Sequence, residues 1–586
     1  MDNKQIAGIF SEMSDILEIQ GADFFRVNAY RKAALNILNM PQDLRDMVDK
    51  NSPDLKKLPG IGEGLRKKII ELITTGKCEE YDDIKKGFPE GLLEMLRLRG
   101  LGPKKVKLLY SELRIKNLQE LKKAAEAHVI RDLPGMGIKS EADILKSIDE
   151  YAHFSSDRFL VDEALQEAMR IIKYMKICKD VKKIEYAGSL RRAQDTIGDI
   201  DILVTVKKPG ESHKLVMNHF VKYSEVINVV AEGDTKSSVT LSCGIDVDLR
   251  VVDDKSFGAA MHYFTGNKAH NIHIRDLAKK KGLKVSEYGV FRGEKMVGGK
   301  DEKDIFEAVG IPYIIPEIRS DNGEIEYGLA HKSFPKFVEL TDVKGDLHSH
   351  STYSDGDNSI EEMAEACIKR GYEYFAISDH SSVMGVTGGM GKKDIKTQWE
   401  EIDKLNKKFN GKFTILKGCE VDILKDGSLD FSDDVLKSLD AVIISAHMYQ
   451  RLSPDEQTKR LICAIENKYS RILGHPTGRM INRRAPMEFD MKKVIDACVK
   501  NDVIIEINSN PLRLDLIDKY IRIAKEKGAK FAINTDSHDT DQLNFMKYGV
   551  GIGRRGWLTK EDVVNTMSLK NLTLRLKPVY LNSGAT

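Results

Sequence analysis

Two sets of side chains in this 586-residue chain have the types and spacing needed for metal-assisted phosphate chemistry. The first lies in Gly198-Asp199-Ile200-Asp201-Ile202, where period-two alternation puts Asp199 and Asp201 on one strand face and sends the isoleucines into a core. Carboxylates that close repel each other unless cations lie between them. A second strand, Ile245-Asp246-Val247-Asp248-Leu249, offers a third carboxylate; Asp246 and Asp248 share a face, and spacing alone does not choose between them. Carboxylates on adjacent strands suit two divalent ions, magnesium or manganese by ligand type, that activate a hydroxyl and stabilise a phosphoryl-transfer transition state. Just upstream, Gly188 and Ser189 in Ala187-Gly188-Ser189-Leu190-Arg191-Arg192 offer donors for nucleotide phosphates, and Arg192 adds charge. An isolated Asp-X-Asp is an ordinary solvated strand face, so it is the whole constellation that points to nucleotidyl transfer.

The second set is rich in histidine. Within residues 341–586 the histidines all fall at or just after strand-like runs: His348 and His350 in Asp-Leu-His-Ser-His, His380 in Ser-Asp-His, His447 in Ser-Ala-His, His475 in Gly-His-Pro and His538 in Asp-Ser-His. Asp355, Glu420 and Asp536 occupy similar places. A lone histidine is usually a hydrogen-bonded packing residue, but groups at successive strand ends converge on one face of an α/β barrel. Imidazole and carboxylate together indicate zinc, manganese or iron, two or three ions for so many ligands, and such a cluster activates water to cleave a phosphate ester. Arg479, four residues after His475, is either a phosphate contact or a plain surface arginine.

The elements that must position these groups can be read coarsely. Residues 342–586 alternate strand-like runs (374–377, 413–416, 441–444, 503–507 and 530–533) with helical segments, which predicts a parallel α/β barrel or sheet. Residues 318–341 are polar and weakly patterned, the signature of a linker. Residues 1–150 read as helices joined by Gly-apolar-Gly turns at Gly60-Ile61-Gly62, Gly100-Leu101-Gly102 and Gly135-Met136-Gly137. One such turn is only a helix cap; repetition makes the helix-hairpin-helix pattern, whose free amides donate to DNA phosphates. Lys67 and Lys68 follow the first turn, and a lysine near bound DNA can form a Schiff base with an abasic sugar.

Composition sets limits. The length implies on the order of three to five domains. A net charge of +2 means that any DNA contact rests on local arrangements of amides and basic groups. Seven cysteines without a CxxC pair indicate neither a zinc ribbon nor a disulfide framework. With no signal peptide and no apolar run of the ~18 residues a membrane span needs, a cytoplasmic protein is expected.

From residue 1 to about 320 the chain resembles DNA polymerase family X, the polymerase beta type. Tyr263-Phe264-Thr265-Gly266 looks like that family's sugar-reading turn, the Asn271 and Arg275 helix follows, and Ser286 to Tyr288 and Pro312 to Glu317 resemble its thumb and closing segments. The resemblance implies that Asp199 and Asp201 bind both metals, with Asp248 the third carboxylate. It places Gly188, Ser189, Arg192 and Gly198 at the triphosphate, Tyr263, Phe264 and Gly266 at the sugar, and Asn271 and Arg275 at the nascent pair or template. Lys68 falls at the lyase lysine, and Asn267 departs from the family's serine. Residues 342–576 resemble the polymerase and histidinol phosphatase (PHP) family, with the six histidines, Asp355, Glu420 and Asp536 at its ligand positions. That implies a distorted seven-stranded barrel with a trinuclear site and, in fused prokaryotic members, 3′ to 5′ exonuclease and abasic-site endonuclease activity.

The expected architecture is therefore multidomain. A lyase-like helical domain (1–85) and a fingers-like helical domain (86–150) precede an α+β nucleotidyltransferase palm (151–260) and thumb (261–317). The linker (318–341) then leads to an α/β barrel of the distorted (β/α)7 type (342–586). The expected role is a monomeric, cytoplasmic, nucleoid-associated prokaryotic repair polymerase acting on gapped or primed DNA with deoxynucleoside triphosphates. The alternatives are a nucleotidyltransferase fused to a small-molecule phosphatase, which has no use for duplex-gripping hairpins, and a non-catalytic DNA-binding scaffold, which has no use for metal ligands.

Overall fold

The computed structural model describes residues 1, 3–38, 44–49, 61–96, 98, 101–154, 158–382 and 388–577. It divides into two compact units, Met1–Ser156 and Asp157–Thr586.

The first unit is helical. Helix Asn3–Gln20 packs on Phe24–Leu38, and Phe10, Met13, Ile37, Ile69 and Leu72 fill one core. A second core collects Leu92, Val106, Leu109, Leu121 and Ile144. Helices Glu63–Thr75 and Pro103–Leu113 start at Gly62 and Gly102, neither of which carries a side-chain cap. At Gly62 the first amides of the helix thus lack the side-chain partner that Ser or Asp would supply, whereas Pro103 has no amide N–H and Lys105 N donates to Gly102 O at 3.0 Å.

In the second unit a five-stranded sheet runs in the order Val181–Tyr186, Asp199–Val206, Asp246–Val251, Lys236–Leu241, Val226–Glu232. The middle pair is parallel, and its register sets Asp199 against Asp246 and Asp201 against Asp248. Ile200, Ile202, Val247 and Leu249 are fully buried beneath them, so the period-two pattern fixes which face the carboxylates share. A small antiparallel sheet, Lys284–Ser286, Gly289–Arg292 and Lys295–Gly298, follows with helix Glu302–Val309.

The expected linker is more ordered than its polarity implied. Arg319 is fully buried and pairs with Glu302 at 2.7 Å, while helix Glu324–His331 starts at a buried glutamate that accepts from His270 Nδ1 at 2.7 Å. Polar residues here serve an internal network, which a hydropathy pattern does not register.

The C-terminal part is a barrel of seven parallel strands in sequential order, from Gly345–Asp346 through Tyr374–Ile377, Thr414–Asp422, Ala441–Ser445, Ile472–Leu473 and Ile504–Asn508 to Phe531–Asn534. Asp536 N donates to His348 O (2.9 Å) and His350 N to Ser537 O (2.8 Å), which joins the last strand's extension to the first. Two strands are only two residues long, hence the distortion and their absence from the sequence pattern. Capping boxes at Ser359/Glu362 and Ser453/Glu456 start two of the outer helices.

Candidate active sites

On the five-stranded sheet, Asp201 lies in the middle of the charged face. Burial, reinforced by Asp199 and Asp248, pushes its carboxyl up to about 7. This is the electrostatic penalty that a bound cation removes. Asp248 accepts from Ser238 Oγ at 2.5 Å and pairs with Lys236 at 2.8 Å. The three carboxylates are therefore not drawn into one ready-made ligand cluster. Asp246 is exposed and accepts from Thr240 (2.7 Å). Asp248 stands opposite Asp201 in the register and adds to the field there, whereas Asp246 stands opposite Asp199.

Gly188 has φ +64, and a Cβ there would meet the Asp201 carboxylate at 2.5 Å, so glycine is what lets the loop approach the acid. Ser189 Oγ is buried without a partner. Arg192 donates to Thr265 O, and Asn271 Nδ2 to Tyr263 O at 2.7 Å. Gly266, with φ +69, ends helix Phe257–Thr265, which carries Tyr263 and Phe264, and the Arg250 guanidinium lies 4.5 Å above the Phe264 ring. A Cβ at Gly266 would lie 3.3 Å from Arg192 Nη1, so the Arg192 side chain reaches the end of this helix. Arg275 lies exposed on helix Lys268–Lys280, and Gly198 lies against Arg158. Asn267 caps that helix by accepting from His270 N (2.8 Å), which gives the departure from serine a structural role.

At the barrel mouth the six histidines, Asp355, Glu420 and Asp536 converge. Glu420 lies at the centre: Oε2 is 3.4 Å from His348 Nε2, 3.6 Å from His350 Nε2 and 3.0 Å from His380 Nδ1, while Oε1 is 3.3 Å from His447 Nε2 and 2.9 Å from His475 Nε2. Burial alone would raise the Glu420 carboxyl, but His447, His348 and His380 outweigh it and hold it well below the usual range. Burial pushes His350 down to about 3, toward the neutral form that binds metals.

Ligand atoms gather within 4.8 Å in four sets: His350, Asp355, His380 and His538; His348, His350 and Asp536; Glu420, His447 and His475; and His380, Asp422 and His447. The buried Nε2 atoms of His348, His350 and His475 and both Glu420 oxygens lack directed hydrogen-bond partners. Orphaned buried acceptors of this kind fit bound ions.

Several residues at this site were not anticipated. Glu506 accepts from His348 Nδ1 (2.7 Å), His475 N (2.6 Å) and Asn534 Nδ2 (2.9 Å), which leaves His348 Nε2 free to bind. Asp422 lies 3.2 Å from His447 Nδ1, and Arg513 Nε 3.2 Å from Asp536. Arg479 is not a plain surface arginine; it pairs with Asp195, 284 positions upstream, at 2.7 Å. Glu506→Gln is expected to weaken metal binding by roughly 10–100-fold, because an amide cannot accept on both sides. A metal titration checks this, and unchanged affinity would mean that Glu506 does not orient His348.

In the helical unit, Gly62, Gly102, Gly135 and Gly137 have open space where a Cβ would sit, while Gly60 and Gly100 lie outside the described residues. Lys68 is mostly buried, with Nζ 2.7 Å from Glu80, which also accepts from Tyr30 (2.6 Å) and Arg26 (2.9 Å). Burial opposes ionisation of Glu80, but these three donors hold its carboxyl down at about 2.

Comparison with known proteins extends this geometry. Helix-hairpin-helix families match residues 1–78 and 92–150, the DNA polymerase beta thumb family 260–320, and the PHP domain family 346–510. The DNA polymerase/3′-5′ exonuclease PolX of Bacillus subtilis (strain 168) is 40% identical over 98% of the chain and 100% of its own length. DNA polymerase lambda of Arabidopsis thaliana is 27% identical over 54% of the chain and 62% of its own length. A probable phosphatase of Thermoanaerobacter sp. (strain X514) is 30% identical over 38% of the chain and 89% of its own length.

Proposed function

Since the chain belongs to the PolX family of DNA polymerase/3′-5′ exonucleases, we propose that it fills short gaps during base-excision-type DNA repair and trims 3′ ends and abasic sites with its C-terminal barrel. It is a DNA-directed DNA polymerase with a 3′ to 5′ exonuclease. The observation that carries the division of labour is the presence, in one compact unit, of a carboxylate face suited to nucleotidyl transfer and a separate histidine cluster suited to hydrolysis.

Asp199, Asp201 and Asp248 are the residues to hold magnesium or manganese, and the nine barrel residues to hold two or three ions of zinc, manganese or iron. When bound, these ions supply Lewis acidity and charge neutralisation at the reacting phosphate. The chain's own groups do the rest of the work. Ser189 and the amides from Gly188 orient the triphosphate, with Arg192 adding charge. Tyr263, Phe264 and Gly266 face the sugar, while Asn271 and Arg275 contact the nascent pair or template. The hairpin turns grip DNA phosphates through uncapped helix amides.

The domains fall at 1–85, 86–150, 151–260, 261–317 and 342–586, with 318–341 connecting the last two. Gapped or primed DNA and deoxynucleoside triphosphates are the partners. The protein acts as a cytoplasmic, nucleoid-associated monomer in a prokaryote. Among the described residues no helix is long and apolar enough to cross a membrane. A primed, gapped duplex offered with and without deoxynucleotides tests the bifunctional reading.

Lys68 is the candidate amine for lyase chemistry, with its ion pair to Glu80 as the contact that positions it. Borohydride is expected to trap the protein on a 5′ deoxyribose phosphate end, with the adduct lost in Lys68→Ala. Undiminished adduct in that variant would assign the chemistry to another amine.

A further inference from the structure

The segment Ala193–Thr196 joins the short helix Gly188–Arg191 to the strands that lead into the carboxylates, and neither set of metal ligands uses it. It is nevertheless fastened to the barrel. Asp195 Oδ2 accepts from Arg479 Nη2 at 2.7 Å, and Oδ1 is paired with Arg555 Nη1. The same Arg555 nitrogen donates to Ala193 O at 3.1 Å, and Arg555 Nη2 pairs with Asp518 at 2.9 Å. Arg479 is itself fixed by its Nε bond to Arg513 O at 2.7 Å. A Cβ at Gly551 would come within 2.9 Å of the Ala193 Cβ, so helix Met546–Arg555 lies directly against the loop. Ala193 holds φ +50, a backbone region that a non-glycine residue keeps only when its surroundings impose it. Downstream, Arg158 Nη2 donates to Thr196 O (2.6 Å), and Arg158 O accepts from Asn482 of the barrel (3.0 Å). Burial would raise the Asp195 carboxyl, but Arg555 and Arg479 outweigh it and keep it charged.

We propose that Asp195 is a positioning residue for nucleotide addition, through which Arg479 and Arg555 of the barrel fix the loop that presents Ser189 and Arg192 to the incoming triphosphate. The proposal rests on the reading of Ser189 and Arg192 as phosphate contacts. Asp199 and Asp201 are held separately by strand pairing with Asp246 and Asp248. Releasing the loop therefore leaves the carboxylates in place and makes each nucleotide order the loop on binding, a cost that appears in KM rather than in kcat.

The test is steady-state gap filling by the full chain. For Asp195→Ala the KM for deoxynucleotide is expected to rise about ten-fold, with kcat and the KM for gapped DNA within about two-fold. Asp195→Asn, which keeps an oxygen acceptor but no charge, is expected to fall between. An unchanged nucleotide KM, or a fall in kcat and melting temperature alone, would overturn the proposal. If Asp195→Ala does not fold, Arg479→Gln, which leaves the Arg555 pair in place, must still raise the nucleotide KM, and no rise would overturn it. Ser189→Ala and Arg192→Ala separate the two layers. If both leave the nucleotide KM unchanged, the phosphate-contact reading falls and the proposal with it. If both raise it while Asp195→Ala does not, the proposal alone falls.

Discussion

Replacing Asp199 or Asp201 with alanine is expected to abolish nucleotide addition while leaving 3′ end degradation intact. Both carboxylates lie on one strand face above fully buried Ile200 and Ile202, so alanine removes the charge without disturbing the core. The loss should be on the order of a thousand-fold or more, because each divalent ion contributes several kcal/mol to the transition state. The hydrolytic cluster draws on none of these residues. Primer extension and single-strand degradation, measured on the same preparation, check both halves. Normal extension by either variant would refute the assignment of the carboxylate face.

The second large effect is expected at the barrel. His348 and His350 are fully buried, and His350 takes part in two of the four ligand sets. Replacing both with alanine removes two nitrogen donors, and no histidine of the barrel is spare to replace them. Bound metal, 3′ exonuclease and abasic-site cleavage should all be lost, whereas gap filling should survive. The variant also leaves Glu506 without its imidazole partner and removes two of the five imidazoles around Glu420, so some stability will go with the metal. Circular dichroism must show it folded before lost activity is read as catalytic. Wild-type degradation of 3′ ends by a folded double variant would end the nuclease reading of residues 342–576.

Much of both sites could be read from the chain because their residues announce themselves by local period. Asp199 and Asp201 stand out through alternation with Ile200 and Ile202, and the histidines through their repeated place at strand ends. What stayed hidden depends on partners distant in sequence. Glu506 lies 158 positions from His348, although a glutamate within Ile-Ile-Glu-Ile-Asn, a strand buried on both faces, was a usable signal that some buried donor awaited it. Asp422 is visible in Cys-Glu-Val-Asp, where period two puts it on the same face as Glu420, but its pairing with His447 follows only from the fold. Nothing local marks Arg479 as the partner of Asp195. The stretch 318–341 read as linker because its order comes from Glu324, Arg319 and their partners rather than from an apolar stripe. Lys68 was placed by motif, yet its Glu80 partner follows only from how the helices pack.

The most direct test of two active sites in one chain uses a single end-labelled primer in a short gap, incubated with wild-type protein and magnesium or manganese. With deoxynucleotides the primer should lengthen to the end of the gap; without them it should shorten from its 3′ end. Chelation should stop both reactions. Extension without shortening under any metal condition would contradict the hydrolytic site, and shortening without extension would contradict the nucleotidyl-transfer face.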